Sequence, residues 1–275
     1  MGSSDQEPLA VAQLRGVSKR FEEEVALDGL TLDVRRGEVL GLLGPNGAGK
    51  TTALRILTGL LAADTGEALV GGFDVHAQPL EARRRFAYVP DGAPLYANLS
   101  PLQHLRLIGR LHSLDESLAE AEALRLLELF ELADRRDDPL GGFSRGMRQK
   151  AAIACALLPR PQLLILDEPL SGLDAPTTAV LKELLRGWAQ RGGAVLYTSH
   201  LLDVVERVCD RMAILAEGRL VDVGALDELR SRSGAAGADG TLERVFQAVT
   251  HAGDPTTKAE QILDGSLLGR QGLPS

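Results

Sequence analysis

The sequence predicts an α/β fold that is built on a mostly parallel β-sheet. Short apolar segments alternate along the chain with segments of helical pattern, and this alternation is typical of that fold class. Buried strands are predicted for four of the apolar segments, Val39–Leu43, Phe86–Pro90, Leu163–Asp167 and Ala194–Ser199. The first of these strands ends in a glycine-rich turn.

Helices and antiparallel strands complete this pattern. Helices are predicted for Lys50–Leu60, Arg148–Leu158, Thr177–Gln190 and Leu201–Val208. Near the start of the chain, Ala10–Val17 and Leu30–Arg35 are predicted to be antiparallel strands. Met212–Val223 is predicted to be a β-hairpin that turns at Glu217-Gly218, because glycine adopts the positive φ of such a turn without strain.

A helical insert interrupts the α/β pattern between about residues 92 and 158. No strand pattern is present from residue 92 to 140. Ser100-Pro101 has the form of a helix start, since serine caps helix N-termini and proline suits the first helical position. Asp115–Ala133 is amphipathic, with leucines placed among acidic residues.

The two ends of the chain are predicted to lie outside the main domain, which spans residues 9–232. Residues 1–8 are predicted to be a mobile N-terminus. Ser233–Gly240 is rich in glycine and alanine, which is typical of a linker. Leu242–Val249 could form a short helix, and the rest of the tail, up to Ser275, is predicted to be mobile.

The composition is that of a soluble globular protein whose charge argues against a nucleic-acid partner. Of 275 residues, 44% are hydrophobic and 25% are charged. The net charge of −8 lacks the basic character of a duplex binder, so no nucleic acid is expected. No apolar run approaches the roughly 18–20 residues that span a bilayer, and Met1–Pro8 is too polar for a signal peptide. Any attachment to a membrane is therefore expected to come through another protein.

A phosphate-loop motif follows the first buried strand. Gly44-Pro45-Asn46-Gly47-Ala48-Gly49-Lys50-Thr51 matches the pattern G-x-x-x-x-G-K-[ST] in full. Glycines let backbone N–H groups curve around phosphate oxygens, and the following helix directs the positive end of its dipole at the anion. Lys50 can place a charge on the β- and γ-phosphates, and the Thr51 hydroxyl can bind Mg²⁺. These residues and the following Thr52 are predicted to bind a nucleotide.

Two carboxylates end the strand Leu163–Asp167. Asp167 and Glu168 are adjacent, and adjacent strand residues point to opposite faces, so the two acids can take separate tasks. Asp167 can hold Mg²⁺ directly or through water, and Glu168 can orient and deprotonate an attacking water. A lone Asp-Glu pair is more often a polar turn, but phosphoryl transfer beside a phosphate loop requires such a site.

Three further motifs, taken with these two, make the sequence resemble the ATPase family of ABC transporters. The signature segment, usually LSGGQ, is similar to Phe143-Ser144-Arg145-Gly146-Met147, the D-loop to Ser171-Gly172-Leu173-Asp174, and the switch-histidine segment to Thr198-Ser199-His200. Each motif is weak alone, but all five occur in the family's order. The resemblance covers about Leu9 to Leu229. It implies a P-loop NTPase core with an N-terminal antiparallel β subdomain and an inserted α-helical subdomain.

The resemblance also implies how the motifs work together. Two such domains would pair head to tail, with ATP and Mg²⁺ between the phosphate loop of one chain and the signature of the other. Ser144 and the Gly146 backbone, with Arg145 between them, would then contact the γ-phosphate, and His200 would hydrogen-bond it. Phe21 stands where the family places an aromatic residue that stacks on adenine, and the alternative is an ordinary core phenylalanine.

Two positions depart from the family's pattern. Asp91 stands where the family often has Gln; a carboxylate also coordinates Mg²⁺ but adds negative charge. Asp91 is therefore a candidate metal ligand that couples the nucleotide state to the helical insert, and the alternative is a turn residue before Gly92. Arg145 replaces the usual Gly of the signature. This variant segment is similar to members of the exporter branch, whose permeases are encoded separately.

The resemblance implies a permease as partner and the cytoplasmic side of the cell membrane as location. A short permease helix would enter a groove near Asp91 that includes Leu95, Tyr96 and Leu99, unless these side chains pack the insert itself. The second ATPase of the dimer would be this chain or a related one. One alternative is a soluble ATPase of the same type that acts on ribosomes or nucleic acid, but the chain holds a single ATPase core and no sustained coiled-coil heptads. The other, a regulatory subunit without hydrolysis, is opposed by Glu168 and His200.

Overall fold

A computed structural model of the chain describes residues 10–170, 172–199, 202–233, 242–244 and 246. The strands are β1 (Ala10–Phe21), β2 (Glu24–Arg35), β3 (Val39–Leu43), β4 (Thr65–Val70), β5 (Phe73–Asp74), β6 (Phe86–Val89), β7 (Leu163–Asp167), β8 (Ala194–Thr198), β9 (Arg211–Ala216) and β10 (Arg219–Gly224). The α-helices are α1 (Lys50–Leu57), α2 (Pro79–Arg83), α3 (Pro101–Leu111), α4 (Glu116–Leu129), α5 (Arg145–Leu157), α6 (Ala175–Gln190), α7 (Leu202–Val208) and α8 (Leu226–Ser233).

A six-stranded sheet in the order β10-β9-β3-β8-β7-β6 forms the centre of the molecule. All neighbouring strands in it are parallel except β10, which pairs antiparallel with β9 as the predicted hairpin. Leu40 and Leu42 of β3 pack into the core on one face of the sheet, and Val39 and Leu43 pack into the core on the other face. Strands that are buried on both faces are apolar throughout, and β3 and β7 match the predicted strands residue for residue.

A second sheet, in the order β2-β1-β4-β5, is antiparallel and confirms the predicted N-terminal β subdomain. Its first two strands are longer than predicted and pair as far as Phe21 and Glu24. Helix α1 packs between the two sheets, and its Leu54 and Ile56 side chains are fully buried there. The prediction omitted β4, whose first three residues are exposed and include Gly66.

The inserted helical subdomain lies between β6 and β7 and consists of α3, α4, α5 and two 3₁₀ turns, Ala133–Arg135 and Leu140–Gly142. Ser100 caps α3 as predicted. Its hydroxyl accepts a hydrogen bond from the Gln103 backbone N–H, and the Gln103 side chain accepts one from the Ser100 backbone N–H. Helix α5 begins at Arg145, three residues before the predicted start, because the Ser144 hydroxyl accepts a hydrogen bond from the Met147 N–H at 3.2 Å.

The last long described range of the chain ends at the start of the predicted linker. Helix α8 ends at Ser233, the residue at which the linker was predicted to begin. The remaining linker residues, 234–240, lie outside the described residues, as do residues 1–8 and most of the predicted tail. Leu242 is described and is fully buried against the core. Within the described ranges, no helix is both long enough and apolar enough to cross a membrane.

Candidate functional site

The phosphate loop connects the end of β3 to the start of α1 at the carboxyl edge of the parallel sheet. Gly49, the last loop residue, has a φ of +100°. A Cβ atom on Gly49 would lie 2.4 Å from the carbonyl oxygen of Ala26, and one on Gly44 would lie 2.3 Å from the carbonyl oxygen of Leu215. The loop is therefore packed directly against β2 and β9, and it requires glycine at both ends.

Lys50 turns back over the loop that precedes it. Its Nζ atom donates to the carbonyl oxygens of Gly44 at 2.6 Å and Pro45 at 3.0 Å. Burial lowers the pKa of Lys50, and the carboxylates of Glu168 and Asp167 act in the opposite direction. The lysine charge and both acids thus belong to one electrostatic site.

The two carboxylates at the end of β7 face one cavity. Asp167 is 7% exposed, and its carboxylate accepts a hydrogen bond from the hydroxyl of Thr198 on β8. Glu168 lies just beyond the strand with a φ of +50°, and its N–H donates to the Thr198 carbonyl oxygen at 3.2 Å. The expectation of opposite strand faces was therefore wrong, because a left-handed backbone turns Glu168 out of the strand pattern. Such a conformation is uncommon in a residue other than glycine and carries some strain.

A cavity of about 350 Å³ brings most of the predicted site residues together. It is lined by Phe21, Glu24, Ala26, Asn46, Gly47, Ala48, Gly49, Lys50, Thr51, Thr52, Asp91, Asp167 and Glu168. Gly44 and Pro45 form the start of the loop and do not line the cavity. Ser144, Arg145 and Gly146 lie outside it, and His200 lies outside the described residues.

Phe21 lies at the end of β1 and forms one wall of this cavity. Its side chain is 45% exposed, so it is not part of the buried core. The Lys19 ammonium lies 5.7 Å from the centre of the ring. An exposed aromatic face on the edge of a cavity can stack on a planar ligand.

The signature residues form the exposed start of α5. Ser144 is the helix cap, and Arg145 and Gly146 belong to the first turn, whose backbone N–H groups have no partner within the helix. The guanidinium of Arg145 forms an ion pair with Asp91, with Nη2 and Oδ1 3.1 Å apart. Asp91 thus lines the cavity and also contacts the signature.

Sequence reasoning missed some residues of the site. Glu24 and Ala26 line the cavity because β2 packs across the phosphate loop, and no motif marks them. Tyr88 on β6 also belongs to the surroundings of Asp167. Burial raises the pKa of Tyr88 to about 12, and the negative charge of Asp167 acts in the same direction.

The cavity suits a magnesium ion that takes a few ligands from the protein and the others from phosphate oxygens and water. The Thr51 hydroxyl and the Asp167 carboxylate both line it, and Asp91 does so as well. Among the described residues, no group of three or more His, Cys, Asp or Glu side chains is arranged to hold a metal. Mg²⁺ commonly uses one or two carboxylates together with phosphate oxygens and water, so these residues fit it in the presence of a nucleotide.

A phosphate loop between β3 and α1, together with the acidic end of β7 in the same parallel sheet, defines the P-loop NTPase fold. A family model described as ABC transporter matches residues 27–171. The chain belongs to the ABC transporter family. The predicted fold class and the predicted family are thereby confirmed.

Named relatives support the resemblance to the exporter branch. The chain is 39% identical to the daunorubicin resistance ATP-binding protein DrrA3 of Streptomyces coeruleorubidus. The match extends over 232 residues and covers 84% of this chain and 73% of that protein. It is 33% identical to the linearmycin resistance ATP-binding protein LnrL of Bacillus subtilis, over 81% of this chain and 71% of that protein. It is 38% identical to the Nod factor export ATP-binding protein I of Burkholderia lata, over 79% and 72%.

A solved structure has a similar fold. It is described as the structure of an ATP binding subunit of an ABC transporter and has a TM-score of 0.83 to this chain. The two are 34% identical, and the match covers 87% of this chain and 99% of the other.

Proposed function

We propose that this chain hydrolyses ATP and thereby drives a separate membrane permease that exports its substrate. The observation that carries the proposal is the single cavity shared by the phosphate loop, Asp167 and Glu168. The resistance and export systems named among the relatives support the direction of transport.

The nucleotide is proposed to bind with its adenine on Phe21 and its phosphates in the loop. The 45% exposure of Phe21 supports the first contact. Backbone N–H groups of the loop and the N-terminus of α1 favour an anion. Lys50 would exchange its bonds to the Gly44 and Pro45 carbonyls for phosphate oxygens, which are stronger acceptors because they are charged.

Magnesium is proposed to be held by Thr51 and Asp167, with Asp91 as a further candidate. When bound, the ion neutralises charge on the phosphates of the nucleotide. The hydrogen bond from Thr198 keeps the Asp167 carboxylate in one orientation for this role.

Glu168 is the proposed general base. Its carboxylate lines the same cavity as the loop, so it can orient a water toward the γ-phosphate and accept its proton. Lys50 would stabilise the charge on the transferred group, and the loop excludes bulk water from one side. His200 is proposed to hydrogen-bond the γ-phosphate, and this role rests on the sequence resemblance alone.

Two chains are proposed to form a head-to-tail dimer. The start of α5 carries an exposed serine cap and first-turn backbone N–H groups that have no acceptor within the helix, but it lies outside the cavity of its own chain. A helix N-terminus of this kind suits the phosphate of a nucleotide held by another chain. Because one chain contains both halves of such a site, a homodimer is the simplest assembly, and pairing with a related ATPase is the alternative outcome.

The permease is proposed to dock in an apolar groove of about 350 Å³ between β6 and the helical insert. Leu95, Ile108 and Cys155 are among its lining residues, and the groove begins next to the loop that carries Asp91. Of the predicted groove residues, Leu95 lines it, whereas Tyr96 stacks on the His104 ring at 5.7 Å between centres. Leu99 is not among the lining residues, so the prediction is kept for Leu95 alone.

Glu168→Gln tests the hydrolytic role, because it removes the base while preserving the shape of the side chain. We expect steady-state ATP hydrolysis to fall by about 10²-fold or more, with the binding of a fluorescent ATP analogue retained. Glu183→Gln on α6, an exposed residue paired with Arg186, is the matched control. Equal rates for both variants would contradict the assignment.

A pull-down from gently solubilised membranes tests the partner. Recovery of a polytopic membrane protein, lost when Leu95 is changed to Asp, supports the permease and its docking groove. Recovery of ribosomes or DNA complexes without a membrane protein would contradict the transport function and leave the ATPase.

A further inference from the structure

An ion pair joins the loop that follows β6 to the first residue of α5. The pair is formed by Asp91 and Arg145, which are 54 residues apart in the sequence, with 3.1 Å between Oδ1 and Nη2. The side chains are 57% and 52% exposed, respectively. An ion pair this exposed adds little to the stability of a fold, so stability does not account for the pair.

Arg145 is also placed unfavourably within its own helix. It lies in the first turn of α5, where the helix dipole favours acidic side chains and disfavours basic ones. A positive charge at this end is useful if the helix is to meet an anion, because the guanidinium then adds to the effect of the helix N-terminus. Asp91 supplies such an anionic group from within the chain.

The ion pair brings together the loop after β6, the loop after β7 and the start of α5. The Arg145 side chain crosses Gly172, where an added Cβ would lie 2.9 Å from the Arg145 Cδ atom. An added Cβ on Gly146 would lie 3.0 Å from the Gly172 carbonyl oxygen. The loops after β6 and β7 both reach the nucleotide cavity as well, through Asp91 and Glu168. The pair is therefore a direct side-chain contact between the cavity of this chain and its signature.

Given the dimer proposed above, we propose that Arg145 exchanges Asp91 for the γ-phosphate of the ATP that the other chain holds. Asp91 is then a positioning residue that competes with this phosphate. A phosphate is the stronger partner, because it carries more charge than a carboxylate and can accept two parallel hydrogen bonds from a guanidinium. The exchange releases the Asp91 carboxylate, which lines the cavity of its own chain, so occupation of one nucleotide site alters the other.

The experiment measures the dissociation constant of the ATP-dependent dimer by sedimentation velocity, in a Glu168→Gln background that blocks hydrolysis. We expect Arg145→Gln to weaken the dimer about tenfold, by loss of a charge-assisted hydrogen bond. We expect Asp91→Asn to strengthen the dimer, because the competitor of the phosphate is weakened. At saturating Mg²⁺ and ATP, the double variant should behave like Arg145→Gln alone, because the effect of Asp91 on the dimer is proposed to act through Arg145.

Arg145→Lys, which retains the charge but not the forked geometry, should recover part of the affinity. The pair formed by Arg106 and Glu120 is a matched control, since it is also exposed and joins two helices of the insert. Glu120→Gln should leave the dimer unchanged.

Opposite effects of the two single variants support the exchange. If both variants weaken the dimer, the pair is only a structural link, and if neither changes it, the pair has no role; either result overturns the inference and leaves the proposed function intact. If the Glu168→Gln chain itself forms no dimer with ATP, the proposed homodimer fails and this inference fails with it.

Discussion

The hydroxyl of Thr198 donates a hydrogen bond to the carboxylate of Asp167, and both side chains are buried at the ends of neighbouring parallel strands. The same threonine bonds to Glu168 through its carbonyl oxygen, which accepts from the Glu168 N–H. One residue of β8 therefore holds the Asp167 side chain and the Glu168 backbone in place.

Thr198→Val should lower ATP hydrolysis by about 10- to 100-fold, the usual range for loss of a residue that orients a metal-binding carboxylate. Valine has nearly the same shape, so the change removes the two hydrogen bonds of the hydroxyl, to Asp167 and from the Glu168 N–H at 3.3 Å, and little else. Thr58→Val is the control, because Thr58 is equally buried but bonds to the carbonyl of Leu54 in α1. The rates are measured by phosphate release at saturating ATP, and an unchanged rate for Thr198→Val would contradict the prediction.

Gly44→Ala should lower nucleotide affinity by about tenfold or more, because overpacking of a tightly packed site costs about 1–3 kcal/mol. The added methyl group would lie 2.3 Å from the Leu215 carbonyl oxygen and would displace the loop. Gly142→Ala is the control, since an added Cβ there meets no atom within 4 Å. Titration with a fluorescent ATP analogue checks both variants, and equal affinities would show that the loop tolerates displacement.

His104 should make the folded state sensitive to acid. Burial lowers the pKa of His104, and its Nε2 atom accepts the Tyr96 N–H at 3.0 Å, which requires the neutral ring. Because the folded-state pKa is depressed, the contribution to stability is complete above the ordinary histidine pKa of about 6.5. It is lost progressively as the pH falls below that value.

Urea unfolding of the wild-type chain and of His104→Gln between pH 7.5 and 5.5 measures this effect. We expect the free energy of unfolding to fall with pH more steeply in the wild type than in the variant. His112, whose pKa is also lowered by burial, remains in both proteins. Equal slopes would mean that His104 does not contribute.

Glu38 and Arg211 form a buried ion pair between the starts of β3 and β9. The side chains are 9% and 15% exposed, and Nη1 of Arg211 lies 3.0 Å from both carboxylate oxygens. Glu38→Ala should lower the free energy of unfolding by about 3 kcal/mol, because it leaves the nearly buried guanidinium with the more distant carboxylate of Asp33, whose Oδ1 lies 3.5 Å from Nη2. Glu67→Ala breaks an exposed pair with Arg15 and should cost less than about 1 kcal/mol. Chemical denaturation compares the two, and similar losses would contradict the argument.

The strands that were predicted most accurately from sequence are those whose residues are all buried. Strands β3 and β7 are buried along their whole length and were predicted without error. The first three residues of strand β4 are exposed polar residues and a glycine, and their pattern is not that of a strand. The start of α5 was placed too late because Gly146 weakens a helical pattern, although the Ser144 cap compensates in the structure.

The candidate site was predictable where a motif is continuous. The phosphate loop and the acidic end of β7 do lie together, as their motifs indicated. Contacts between distant segments were not predictable, because no local pattern records them. Glu24 and Ala26 line the cavity only through sheet packing, and Asp91 and Arg145 were both noted as departures without any sign that they form an ion pair.

The position of β3 between β8 and β9 also determines when the nucleotide site can form during synthesis. Leu40 pairs with Leu196 on one side and with Arg211 on the other, and the phosphate loop packs on Leu215. When the phosphate loop has just been translated, β8 and β9, which are the neighbours of β3 in the sheet, have not yet been synthesised. Until β8 leaves the exit tunnel, β3 is an apolar strand without a neighbour in its sheet, and its second neighbour follows only with β9. Non-local pairing of this kind is slow and prone to aggregation. The motif that identifies the protein is thus translated early, while the pocket that uses it is among the last features to be assembled.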